Sequence, residues 1–156
     1  MSLMKNKREN IAEYVLYLWQ IEDYLRAFPQ QAEASQELHD LNEMMHREGI
    51  LEGGHLRLAL NAMDEMEQLH QELLDENAQY RAMVMRLQPA LNILKSKTDR
   101  PTMSDIEASL VLLYQIMMLR LQKREISPET GQVQQQATQL LQIISRAYYE
   151  DGKQEN

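Results

Sequence analysis

The sequence predicts an all-α protein, a single-domain antiparallel bundle of about five helices. Three observations carry this. Apolar residues recur at three- and four-residue spacing along nearly the whole chain, the spacing of a helical face. Alternating apolar–polar runs are missing, and no Asn-Gly or Asp-Gly turn lies between two such runs. Proline and glycine stand at a few separated places, Pro29, Gly49 and Pro128 among them, where a helix stops or starts.

The first predicted helix runs from about residue 6 to Phe28. Ile11, Tyr14, Val15, Leu18, Ile21 and Leu25 share one face. Pro29 ends it, because the residue before a proline avoids helical angles. The second runs from about residue 30 to Glu48, with Ala34, Leu38, Leu41 and Met45 as its stripe. Gly49 follows at the position where a left-handed residue closes a helix.

The third begins near His55 and keeps one stripe through Met63, Met66, Leu69, Leu73, Tyr80, Val84 and Leu87. Pro89 should kink or end it, since it lacks an N–H and crowds the carbonyl four residues back. A break near Asp75-Glu76-Asn77 is the alternative. Residues 90–97 read as a short helical piece and Lys97 to Pro101 as a loop.

The fourth opens on Ser104-Asp105-Ile106-Glu107, a capping box in which each side chain accepts from the other residue's N–H. It is apolar on nearly all sides and so is expected at the centre. Ser127-Pro128-Glu129 starts the fifth, whose stripe is Val133, Ala137, Leu140, Leu141, Ile144, Ala147 and Tyr148. Met1-Ser2-Leu3 ahead of a second methionine reads as an added prefix, with Met4 the natural start. The domain is expected over residues 4–150, with 151–156 a polar, frayed tail.

The 156-residue chain is long enough to bury a core of its own. It has no cysteine, which excludes disulfides, thiol catalysis and cysteine-bound zinc and fits a reducing compartment. The longest nearly uninterrupted apolar run, Leu110 to Leu119, is about half the length needed to cross a bilayer. A cytoplasmic protein without membrane contact is therefore expected.

Net charge is −8, distributed unevenly: residues 31–80 carry 12 acids against 2 bases, and the rest 12 against 14. An acidic body disfavours nucleic acid, which needs basic surface against phosphate. The clusters Lys5-Lys7-Arg8 and Lys95-Lys97-Arg100 are too short to reverse this.

The stretches NIAEYVLYLWQIEDYLRA, MMHREG, GGHL, LH and LRLQKREIS resemble a bacterial helical family, domain of unknown function 4924, over Asn10 to about Tyr149. The resemblance implies an all-helical, cytoplasmic bacterial protein with no known catalytic residue.

Several constellations invite chemistry. Glu43-x-x-His46 and Glu67-x-x-His70 have the spacing of di-iron carboxylate bundles, to which Glu22 and Glu107 would add the remaining carboxylates. Phase argues against this: Glu43 lies opposite its helix's apolar stripe, and only His70 falls on one. Asp64, Glu65, Glu67, Glu72, Asp75 and Glu76 have the spacing by which helical nucleotide pyrophosphatases hold magnesium, but Glu65, Glu72 and Glu76 align opposite Met66 and Leu73. No phosphate-binding glycine loop or nucleophile elbow is present. No cofactor or metal is expected.

What remains is YVLYLWQIEDY, Tyr14 to Tyr24, where Glu22 is the one acid on the core-facing arc. An unpaired buried carboxylate costs several kcal/mol or takes up a proton, so Glu22 needs a partner. Arg26 at i+4 is the local choice; Arg120, on the fourth helix's stripe, is the distant one. Trp19, Glu22, His70, Asn77 and Arg120 then read in two ways. They are satisfied polar groups of a core, or Trp19, Tyr14 and Tyr24 line a pocket where Glu22, His70 and Arg120 hold a small anionic ligand. The favoured expectation is a non-enzymatic bundle acting through protein contacts as a homo-oligomer.

Overall fold

A computed structural model describes residues 3–154, with side chains from Asn6 to Gly152. Among these residues there are seven α-helices and no strand, an all-α bundle. The helices are α1 (Leu3–Glu9), α2 (Ile11–Ala27), α3 (Gln36–Glu48), α4 (Arg57–Glu76), α5 (Ala78–Ser96), α6 (Asp105–Leu121) and α7 (Pro128–Gln154). A 3₁₀ turn, Pro29–Glu33, joins α2 to α3. Met1 and Ser2, most of the expected prefix, lie outside the described residues, and Leu3 opens α1. Of the expected tail, Asp151 to Gln154 continue α7, while Glu155 and Asn156 lie outside.

The seven helices arise where five were expected because two predicted rods break at asparagine. Asn10 is extended, and its Oδ1 accepts from the Glu13 N–H at 3.1 Å, which starts α2 afresh. Asn77 does the same for α5, accepting from the Tyr80 N–H at 3.0 Å. The break near Asn77 is thus the correct alternative for the third predicted helix. Pro89, in contrast, sits inside α5 without ending it. The carbonyl it crowds belongs to Met85, and both residues are exposed, so the freed group is not stranded in the core.

Other ends follow local chemistry. Ser35 caps α3, which therefore begins at Gln36 and not near residue 30. Gly49 closes α3 at φ 70°, a left-handed angle that glycine adopts without strain. Ser104 caps α6 by accepting from the Glu107 N–H, but the Glu107 carboxylate turns to Arg100 and leaves the capping box half formed. Ser127 caps α7 through the Thr130 N–H.

The centre of the bundle is α2, not α6. Nine residues of α2's 17 are buried, and it packs against α1, α3, α4, α6 and α7. The start of α6 is buried through Ile106, Ala108, Ser109 and Leu110; in its later turns Ile116 is buried, most other residues are half-buried, and Leu121 is 63% exposed. Ser145 of α7 ties the two ends of the chain together: its hydroxyl donates to Asn10 Oδ1 and accepts from the Ala12 N–H. Asn10 thus serves both a helix start and a tertiary contact. Asn10→Ala is expected to cost about 1 kcal/mol, the usual worth of such a cap, read as a lower urea midpoint with unchanged helical circular dichroism.

Candidate functional site

Glu22 is 1% exposed and sits on the buried face of α2. Its two oxygens have separate partners on the segment that follows α3. Oε2 accepts from the Leu56 N–H at 2.8 Å, and Oε1 lies 2.8 Å from Nδ1 of His55. A carboxylate only accepts, so it places the imidazole proton on Nδ1 and turns Nε2 outward. Leu56 is the residue before α4, whose first N–H groups are unbonded within the helix, and the negative charge also suits that helix terminus.

The His55 ring is held on its face as well. It stacks on Trp19 with centroids 4.8 Å apart and planes 18° from parallel. Tyr114 of α6 meets the indole edge-on, with centroids 5.8 Å apart. The Tyr114 hydroxyl donates to Asp23 Oδ2 at 2.5 Å, and burial, that bond and the Asp23 charge push its pKa up. The indole Nε1–H is buried with no acceptor among the described residues, a cost of about 1–3 kcal/mol.

Arg26, one turn beyond Glu22, does not pair with it. Its guanidinium donates to the Ile50 carbonyl at 2.9 and 3.2 Å and to the Gly54 carbonyl at 2.5 Å, with Asp23 at 3.4 Å behind it. Gly54 stands at φ 89°, where a side chain would be strained. Glu22 and Arg26 therefore clamp the loop from Gly49 to Leu56 onto α2 from opposite charges and at separate atoms.

The three polar residues expected to share a ligand lie apart. His70 is buried at the joint of α4 and α5, with Nδ1 2.5 Å from the Tyr80 hydroxyl. Burial lowers its pKa, with Glu67 and Asp105 opposing more weakly. Asp105 is itself held below its ordinary value: burial acts against this, and hydrogen bonds from Lys95 and Gln88 prevail. Arg120 is exposed and donates to Gln134 of α7 at 2.7 Å. Its place on the α6 stripe does not bury it, because that end of α6 is not covered. No hydrogen bond joins Glu22, His70 and Arg120, so the expected Trp19/Glu22/His70/Arg120 cluster is corrected: Trp19 and Glu22 meet at His55, and His70 and Arg120 have other partners. Tyr14 is buried, while Tyr24 is exposed beside Phe28.

The remaining constellations fall as their helical phase implies. Glu43 and His46 are exposed, as are Asp64, Glu72, Asp75 and Glu76, and Glu65 pairs with Lys7 at 3.0 Å. Among the described residues no three metal-ligating side chains converge. No helix among them is long and apolar enough to cross a membrane.

A sequence family described as a domain of unknown function, DUF4924, matches residues 1–38 and 29–156. The chain belongs to this family. No curated protein and no solved structure matches it. In this DUF4924 chain, two of the stretches that carry the resemblance are the two halves of the clamp. NIAEYVLYLWQIEDYLRA supplies Trp19, Glu22, Asp23 and Arg26; GGHL supplies Gly54, His55 and Leu56. His55 and Tyr114 are the members that residue-by-residue reading passes over. The signal for His55 is its place directly ahead of a helix start, after a glycine pair, within reach of an acid that needs a donor.

Two outcomes follow for the DUF4924 chain. Glu22→Ala takes the acceptor from the buried Leu56 N–H and from the partly exposed His55 ring and is expected to cost about 2–3 kcal/mol, with faster hydrogen exchange at the Leu56 amide. His70, whose folded pKa lies below its ordinary 6.5, binds a proton more readily when unfolded. Its contribution is complete above that value and is lost as pH falls below it. Urea midpoints at about pH 7.5 and about pH 5.5 should therefore differ less in His70→Gln than in the parent.

Proposed function

We propose that this is a non-enzymatic helical scaffold that acts through protein–protein contacts and self-associates. The observation that carries the reading is the clamp. Two side chains of the central helix, Glu22 and Arg26, spend their polar groups on fixing one surface loop. A loop held by a rigid scaffold is where recognition is usually placed.

The exposed residues around it support a contact surface. Leu51 in the loop is 41% exposed, and Tyr24 and Phe28 form an exposed ring pair, 5.6 Å apart, on the part of α2 to which the loop is tied. Aromatic side chains of this kind are enriched at interface cores. A second copy offers the same surface, so a two-fold contact is the simplest assembly. The bacterial cytoplasm is the setting that goes with this reading: the cysteine-free composition suits a reducing compartment.

Light scattering on a sizing column tests it. The expected result is twice the chain mass at micromolar concentration, falling to the chain mass in Phe28→Asp and Leu51→Asp with their helical circular dichroism unchanged. A parent protein that stays at the chain mass as its concentration rises a hundredfold overturns the self-association.

A further inference from the structure

A groove of about 410 Å³ opens between α2, α6 and α7, away from the clamped loop. Its volume is in the range of small-molecule sites, about 300–1,000 Å³. We propose that it binds a long-chain monocarboxylate, with the alkyl tail along its floor and the anionic head at Arg120.

The lining decides the ligand class. Leu16, Leu113, Met117, Leu121 and Leu141 are aliphatic or thioether side chains, and no aromatic ring is among the groove's described residues. A base or other planar ring would find nothing to stack on, whereas a flexible hydrocarbon fits a floor that includes an adaptable methionine. Leu121, 63% exposed, is the residue that such a tail would cover.

Charge decides the head group. Arg120 is the one cation among the lining residues. Gln134 takes one of its five N–H groups, and this bond holds the guanidinium at the groove between α6 and α7. The bond leaves further donors in the planar fork that suits a carboxylate. Lys123 and Arg124 follow at the end of α6, and from Ala108 to Arg124 the chain has no acid. Glu13 is the one acid of the lining. It sits in the first turn of α2 and repels a second negative charge, which limits the ligand to one anionic head.

The proposal is independent of the self-association reading, which uses Tyr24, Phe28 and Leu51. Calorimetric titration of the full chain with dodecanoate, dodecyltrimethylammonium and octanoate below their micellar concentrations tests it. Dodecanoate should bind one to one and raise the melting temperature, octanoate should bind more weakly, and the ammonium should not bind. Arg120→Gln should weaken dodecanoate by about tenfold, the worth of one charge-assisted bond, and Arg120→Lys should recover part of that. Leu121→Arg, at an exposed position that does not threaten folding, should block the tail.

Three results would overturn the proposal. One is equal affinity for the anion and the ammonium, or for the parent and Arg120→Gln. Another is binding to anionic phospholipid vesicles with none to free dodecanoate. The third is a drop from dimer to monomer in Leu121→Arg without ligand, which would mean that a second copy covers the groove.

Discussion

A carboxylate under the surface of a helical bundle must find donors, and Glu22 organises the molecule around that need. Each of its oxygens takes one partner, and both partners lie in the same short segment between α3 and α4. The segment cannot move without stranding a buried charge, a loss larger than most single contacts in a protein of this size. The first consequence is the register of α4, whose start is pinned at Leu56. The second is the orientation of His55, trapped between the carboxylate and the face of Trp19. The third is the central place of α2, which carries Trp19, Glu22, Asp23 and Arg26 in little more than two turns and thereby reaches α4, α6 and the loop together.

A second polar centre holds the other side of the bundle. His70 and Tyr80 face each other across the break at Asn77, and Asp105 with Lys95 and Gln88 lies close enough for its charge to be felt by both rings. Burial keeps the histidine and the tyrosine neutral, lowering one pKa and raising the other. Two neutral groups that satisfy each other cost less to bury than an ion pair would. The break between α4 and α5 thus places a hydrogen bond where a continuous rod would have left two isolated polar groups on one stripe.

Much of this was legible in the residues. Periodicity identified the buried faces of α2, α4 and α7, and local punctuation located Gly49, Ser104 and Ser127 as ends. The inward phase of Glu22 and His70 and the outward phase of Glu43, Glu72 and Glu76 followed from counting residues around a helix. The failures have a common cause. Asn10 looks like an ordinary polar position until Ser145, 135 residues away, is known to share its side chain. Pro89 sits at an exposed turn of α5, where the helix continues through it, and that exposure is a tertiary fact. Arg120 lies on an apolar stripe, yet a groove between α2, α6 and α7 opens beside it.

The sequence by itself determined that the chain is helical, most of its wet and dry faces, and the existence of an acid that would have to be paired. These are set by neighbours within a few turns, where geometry repeats every 3.6 residues or so. The tertiary structure decided who pairs with Glu22. Arg26, the nearest cation in sequence, goes to the Ile50 and Gly54 carbonyls, and His55, 33 residues away, takes its place. A helix fixes the direction in which a side chain leaves it but not what the rest of the chain brings to meet it, and that meeting depends on how all seven helices pack at once.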